Sequence, residues 1–177
     1  MKIIGKMVLC ATCVAALCVG CQSTPAESAV SIDDAVAGLV PPLVQEALAS
    51  PCFAGGKPPV MALGRLKNDT MSIRGGTIDL MESQMGELFS ESGRVVISSA
   101  FRGVTKERIP VPTDTNLLAP SLVLRGKLTQ RNLSQKDGRM QLEYFLELSI
   151  KDLATGNQMW HGRRSVGFLV DGKKAYW

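Results

Sequence analysis

The chain has little from which to build a catalytic centre. Its 177 residues hold one histidine, His161, so a Ser-His-Asp or Cys-His mechanism would have to rest on that residue. No G-x-S-x-G, H-E-x-x-H, Walker loop or G-x-G-x-x-G occurs, and Gly75-Gly76 before an apolar-periodic segment reads as a turn. Charge of one sign is also scarce: the formal charge is +4, and two of the cations, Lys2 and Lys6, lie near the start. A nucleic-acid footprint needs Lys and Arg clustered on one face, which this balance does not supply. The uncharged apolar run, residues 7–19, is too short to cross a bilayer as a helix, which takes about 20 residues. What is present is ordinary for a folded protein, with 45% apolar and 20% charged residues, and the length fits one domain with a short appended segment. These observations point away from an enzyme, a cofactor, a metal, a nucleic-acid partner and a small-molecule substrate.

Four of the five cysteines fall in CATCVAALCVGC, Cys10 to Cys21, as two Cys-x-x-Cys pairs. A zinc ribbon would need turns and a loop of roughly 15–20 residues between the pairs. A thioredoxin-like centre would need a strand before and a helix after. Neither context is present. Lys2 and Lys6 followed by the apolar run instead form the n-region and h-region of a secretory signal. The run ends in Leu17-Cys18-Val19-Gly20-Cys21, which resembles the lipobox of bacterial lipoproteins, with Leu17 four places before Cys21 where the family usually has it three before. The resemblance implies a signal peptide over 1–20, cleavage after Gly20, and acylation of Cys21. Gln22 after the cysteine implies an outer-membrane anchor facing the periplasm, although inner-membrane sorting stays open. Two or more acyl chains on one terminus give stable attachment. Cys52 is then left without an intramolecular partner. Residues 21–31 read as a lipidated short tether, reaching about 35 Å when fully extended, and 32–177 as the folded domain.

Within that domain, Ser31 is placed to cap a helix with Asp33 and Asp34 in its first turn. Val36, Leu39, Val40, Leu43, Val44 and Ala47 continue it, and Pro41-Pro42 predicts a kink or two short helices. VMALGRL (60–66) reads as a buried strand broken at Lys67, Asn68, Asp69 and Thr70. Ile78, Met81, Met85, Leu88 and Phe89 mark one face of a helix over 77–92, with Gly93 as its left-handed stop. RVVISSA (94–100) reads as a second strand, and 101–120 as a long loop. Residues 122–130 and QLEYFLELSI (141–150) then alternate apolar with polar as half-buried strands. Parity sets their register. A two-residue Asp137-Gly138 loop would put leucines opposite charges, whereas a three-residue loop, 136–138, pairs Leu128 with Leu146 and Leu124 with Ile150. The same register sets Lys127 opposite Glu147 and Arg131 opposite Glu143 on the solvent face. DLATGN (152–157) makes the next turn, and Trp160, Val166 and Phe168 continue the alternation. The expected fold is α+β, a mixed sheet with helices on one face, ending in an antiparallel meander. Arg125, Lys127 and Arg131 form a basic stripe that reads either as a contact for an acidic partner or as a solvated face neutralised by Glu143 and Glu147. The loops at 67–74, 101–116 and the hairpin tip are further candidates for binding.

LGRLKNDT, SGRVVISSA, APSLVLRGKLTQRN and QLEYFLELSIKDLATGNQMW closely resemble the LpoB-type penicillin-binding-protein activators, over nearly all of 31–167. The resemblance implies a domain similar to the amino-terminal domain of TolB, carried on an outer-membrane lipoprotein. It also implies a role in cell-wall synthesis: contact with a bifunctional peptidoglycan synthase in the periplasm, raising its polymerising and cross-linking rates, with no chemistry of its own. The chain departs from the family in its tether, about ten residues where well-studied members have a long Pro-rich one. A second reading from a different class is a structural lipoprotein of an envelope assembly, such as a secretion channel or flagellar collar.

Overall fold

Ser31 opens the first helix as its chemistry requires, its side chain accepting a hydrogen bond from the Asp34 amide at 3.0 Å. In the computed structural model, which describes residues 31–98, 119–134 and 139–171, this helix, α1 (Ile32–Ala37), is followed by α2 (Val40–Leu48). The pair replaces one helix because Pro41 and Pro42 are accommodated only in the first turn of α2, where their missing amide donors have no partner to lose. A short 3-10 turn, Pro51–Phe53, leads to β1 (Val60–Asp69), α3 (Gly75–Glu91) and β2 (Val96–Ser98). The chain then forms β3 (Leu122–Ser134), β4 (Arg139–Asp152) and β5 (Gln158–Asp171). Among the described residues no helix is long and apolar enough to cross a membrane. Readings on the signal, Cys21 and the tether up to residue 30, on 99–118, and on the 136–138 loop itself fall outside the described residues.

The five strands form one sheet in the order β2-β1-β3-β4-β5. β1 runs parallel to both β2 and β3, and β3, β4 and β5 form an antiparallel meander. The register of the meander is the one that parity selects: Leu128 pairs with Leu146, Leu124 with Ile150, Lys127 with Glu147, and Arg131 with Glu143. All three helices lie on one face, α3 over β1 and β2, α1 and α2 toward β5, with α2 also packed on α3. The core is where that layer meets the sheet. Val36, Leu43, Met81, Phe89, Leu128, Tyr144, Leu146 and Ile150 are all fully enclosed there. Gly126 faces the same layer, because a Cβ on it would lie 2.5 Å from Leu66 Cδ1 and 2.9 Å from Leu148 Cδ2.

Four boundaries differ from the sequence reading. β1 does not break at Lys67 but runs to Asp69, with Lys67, Asn68 and Asp69 paired to Lys127, Leu128 and Thr129. A bulge causes the mismatch. Leu63 pairs with Leu124 and Leu66 with Gly126, so Gly64 and Arg65 together stand opposite Arg125. Core positions therefore shift from Met61 and Leu63 to Leu66, and the alternation on which a strand is recognised changes phase mid-strand. The amide of Leu66, beside the bulge, donates to Glu82 Oε1 on α3 at 2.6 Å. α3 begins at Gly75 rather than Thr77, with Arg74 at its cap position making no side-chain bond, and its end is as expected, with Gly93 at φ 65°. β3 continues past Gln130 to Ser134, and the strand read over 94–100 is regular only at Val96–Ser98 among the described residues.

Candidate functional site

The helices cover one side of the sheet; on the other, among the described residues, the side chains of β3, β4 and β5 face outward. Odd-numbered residues line that side, because Leu124, Leu128, Leu142 and Leu146 turn their even-numbered positions to the core. Its rows across β3, β4 and β5 are Arg131–Glu143–Gly167, Thr129–Phe145–Ser165, Lys127–Glu147–Arg163 and Arg125–Ser149–His161. Phe145 is the unexpected member. It stands in an outward position yet is half-buried, because two guanidinium groups lie over its ring: Arg163 at 4.2 Å from the centroid and Arg131 at 5.5 Å. A cation over an aromatic face is attracted by the ring quadrupole, so the ring is shielded without a hydrophobic cover.

Carboxylates orient both arginines. Arg131 Nε donates to Glu143 Oε2 at 3.2 Å, alongside a second, shorter bond from its Nη2 to the same oxygen, and Arg163 lies 3.3 Å from Glu147. Lys127, although opposite Glu147 in register, is paired with Asp69 at 3.3 Å instead, and Lys67 reaches the same carboxylate at 2.8 Å. The hydrogen bond from Lys67 holds the Asp69 carboxyl below the usual carboxylate range, opposed by desolvation and reinforced by Lys127. Arg125 is exposed and, among the described residues, has no ion pair. Of the three basic residues read from the sequence, all lie on this one face. Lys127 and Arg131 are in ion pairs there, with Asp69 and Glu143, and Arg125, among the described residues, is not.

Phe145, Arg163 and Asp69 belong to the same constellation; Asp69 lies in the 67–74 segment already a candidate from sequence, whereas Phe145 and Arg163 were not. Phe145 carried a usable signal, an aromatic between Glu143 and Glu147 on the polar parity of its strand. Arg163 carried none, since its role depends on how β5 pairs across β4. His161 is exposed, in the row of Arg125 and Ser149. Cys52 is half-buried against the core, with its sulfur 2.7 Å from the Ser50 hydroxyl. Among the described residues no group of three His, Cys, Asp or Glu side chains is placed to hold a metal ion. A cleft of about 240 Å³ lies on the helical side, floored by Leu63, Met85 and Leu124 and edged by Asp79, Glu82 and Ser83.

The loop from β1 to α3 is the other distinctive surface. Asn68, at the end of β1, accepts at Oδ1 from the Thr70 amide (3.0 Å) and hydroxyl (2.7 Å) and donates from Nδ2 to the Ile73 carbonyl at 3.1 Å. Asn68 thus acts as a turn residue from within the strand. Gln130 Oε1 accepts from the Met71 amide at 3.4 Å and the Ser72 hydroxyl at 3.0 Å, and the Ser72 and Tyr144 hydroxyls are 2.6 Å apart. Ile73 is thereby drawn into the core while Met71 projects outward.

Residues 111–166 match the family model of the peptidoglycan-synthase activator LpoB. The match takes in all of β3 and β4 and the first part of β5, and so includes Arg125, Lys127, Arg131, Phe145 and Arg163. Among solved structures, the LpoB C-terminal domain from Salmonella enterica is similar at 13% identity and a TM-score of 0.49, over 74% of this chain and 97% of that one. The corresponding domain from Escherichia coli is similar at 14% identity and a TM-score of 0.49, over 74% of this chain and 97% of that one. The NMR structure of E. coli LpoB is similar at 12% identity and a TM-score of 0.47, over 96% of this chain and 85% of that one. Among curated proteins none matches the chain.

Proposed function

We propose that this LpoB-type chain is an outer-membrane lipoprotein that activates a bifunctional penicillin-binding protein by direct contact in the periplasm. Residues 1–20 serve as the signal peptide, Cys21 carries the lipid, 21–31 form the tether, and 32–177 form the domain that meets the synthase. The observation that carries the reading is the family match over 111–166, the segment whose outward side chains build the arginine-bracketed face. That face presents fixed cations and one aromatic ring, and supports recognition of a partner surface rich in carboxylates. Arg125, Lys127 and Arg131 are its contact residues, with Phe145 and Arg163 at its centre. The chain performs no chemistry. It acts by binding the working conformation of the synthase more tightly than the idle one, which is the only way a non-catalytic ligand shifts an equilibrium.

The test uses the full-length acylated protein and the bifunctional penicillin-binding proteins of its own organism. Pull-down should recover one of them, and glycan polymerisation by that synthase should rise on addition of the protein. The combined charge reversal of Arg125, Lys127 and Arg131 to Glu should weaken binding by about tenfold or more, equivalent to ~1.4 kcal/mol. Cys21→Ser should move the protein from the membrane fraction to the soluble fraction. If the wild-type protein neither binds nor stimulates any of these synthases, the activator reading fails. Recovery as a ring or fibre would replace it with the structural one.

A further inference from the structure

We propose that Met71 is an apolar anchor for the partner protein, seating in an apolar pocket rimmed by carboxylates; this rests on the activator reading above. A lone exposed apolar side chain is ordinary on a protein surface. Met71 differs in how it is held. At 89% exposed it is the most open of the large hydrophobic residues among those described, yet its neighbour but one, Ile73, is only 6% exposed. The backbone between them is fixed from both ends: Asn68 binds Thr70 and Ile73, while Gln130 binds the Met71 amide and Ser72. The Ser72 oxygen, whose proton goes to Gln130, accepts in turn from the hydroxyl of Tyr144, a fully buried side chain. The turn therefore cannot fold Met71 back onto the core without breaking bonds to β3 and β4. Such a frame lowers the ordering cost of binding, while the unbranched thioether adapts to the shape it enters.

The surroundings specify what the pocket must look like. β1 ends at Asp69, paired with Thr129 in the row of Phe145, so the turn stands at the rim of the arginine-bracketed face. Lys67 and Lys127 lie between the two and share the single carboxylate of Asp69, and Arg74 is exposed on the other side of the turn. Cations thus lie on either side of Met71 along the chain and across the neighbouring strand, which calls for acidic groups around the pocket. A membrane surface offers anionic groups too, but a lone methionine side chain is a weaker anchor than a single myristoyl chain, which itself binds bilayers only marginally. A protein pocket is the occupant that one side chain suffices to fill.

The experiment compares dissociation constants for the synthase recovered in the pull-down above, using full-length acylated wild type, Met71→Leu, Met71→Ala, Met71→Glu and Leu80→Ala. Leu80 is an exposed apolar residue on α3 and serves as the control. Met71→Leu and Leu80→Ala should bind like wild type, Met71→Ala about tenfold more weakly, and Met71→Glu about a hundredfold more weakly, all with unchanged melting temperature. Binding by Met71→Glu within twofold of wild type overturns the anchor while leaving the activator reading in place. Loss of retention on phosphatidylglycerol vesicles when Met71→Glu is added to the non-acylated Cys21→Ser chain, with synthase affinity unchanged in the acylated protein, also overturns it in favour of a membrane contact. If wild type itself binds no synthase, the activator reading falls and the anchor with it.

Discussion

At the scale of single residues, small side chains and paired charges decide what the sheet tolerates. Gly126 lies opposite Leu66 on β1 and Leu148 on β4, and a Cβ there would overlap both leucine methyl groups. Gly126→Val should therefore cost about 1–3 kcal/mol of stability through overpacking, read as a lower urea midpoint with little change in slope. Asp69 gives a pH dependence with a definite sign. Its folded pKa is lowered by Lys67 and Lys127, so its ion pairs add stability above the unfolded value, about 3.9, and that contribution is lost as the pH falls through the folded value. Asp152 behaves alike, its carboxyl lowered by hydrogen bonds from the Thr155 amide and hydroxyl at 2.7 and 2.9 Å. Thermal melts between neutral pH and about pH 2 should show a shallower acid limb for Asp69→Asn than for wild type; identical limbs would remove Asp69 from the account.

At the scale of elements, the β1–α3 turn depends on a hydroxyl in another strand. Tyr144 is enclosed between the helices and the sheet, with its ring edge-on to Phe168 at 6.0 Å, and its oxygen meets only Ser72 among the described residues. Tyr144→Phe should leave the packing intact, cost about 0.5–1.5 kcal/mol for the lost hydrogen bond, and speed hydrogen exchange at Met71 and Ile73 more than in β4. Unchanged exchange at those two amides would show that the turn is held without Tyr144. The same elements show what was legible in the sequence. The β3–β4 register was readable to the residue, because apolar pairs on one face and opposite charges on the other agree on one loop length. The far end of β1 was not: the Gly64-Arg65 bulge changes the phase of the alternation, and Lys67, Asn68 and Asp69 read as a break although they are paired. Gly75 and Gly76 are poor helix formers, which delayed the expected start of α3, and tertiary packing of Ile78 and Met81 overrides that preference.

At the scale of the whole molecule, the helical layer and the meander were legible as a two-layer α+β fold, since each carries its own periodicity. The candidate site was only partly legible. Arg125, Lys127 and Arg131 could be placed on one face, and Phe145 was marked only by its polar parity, while the bracketing by Arg163 depends on how β5 returns against β4. Connectivity also sets an order of events. β3 and β4 are a local hairpin, whereas the hydrogen bonds that tie the Met71 turn to β3 and β4 join residues 58 to 72 positions apart. Contacts between distant segments wait on loop closure, so the hairpin forms early and the Met71 turn sets only after β1 has docked beside β3. The projecting methionine is thus among the last features to take shape, and its presentation reports that the rest of the domain is already assembled. A partner that grips it would, in effect, recognise a finished molecule and pass over an incompletely folded one.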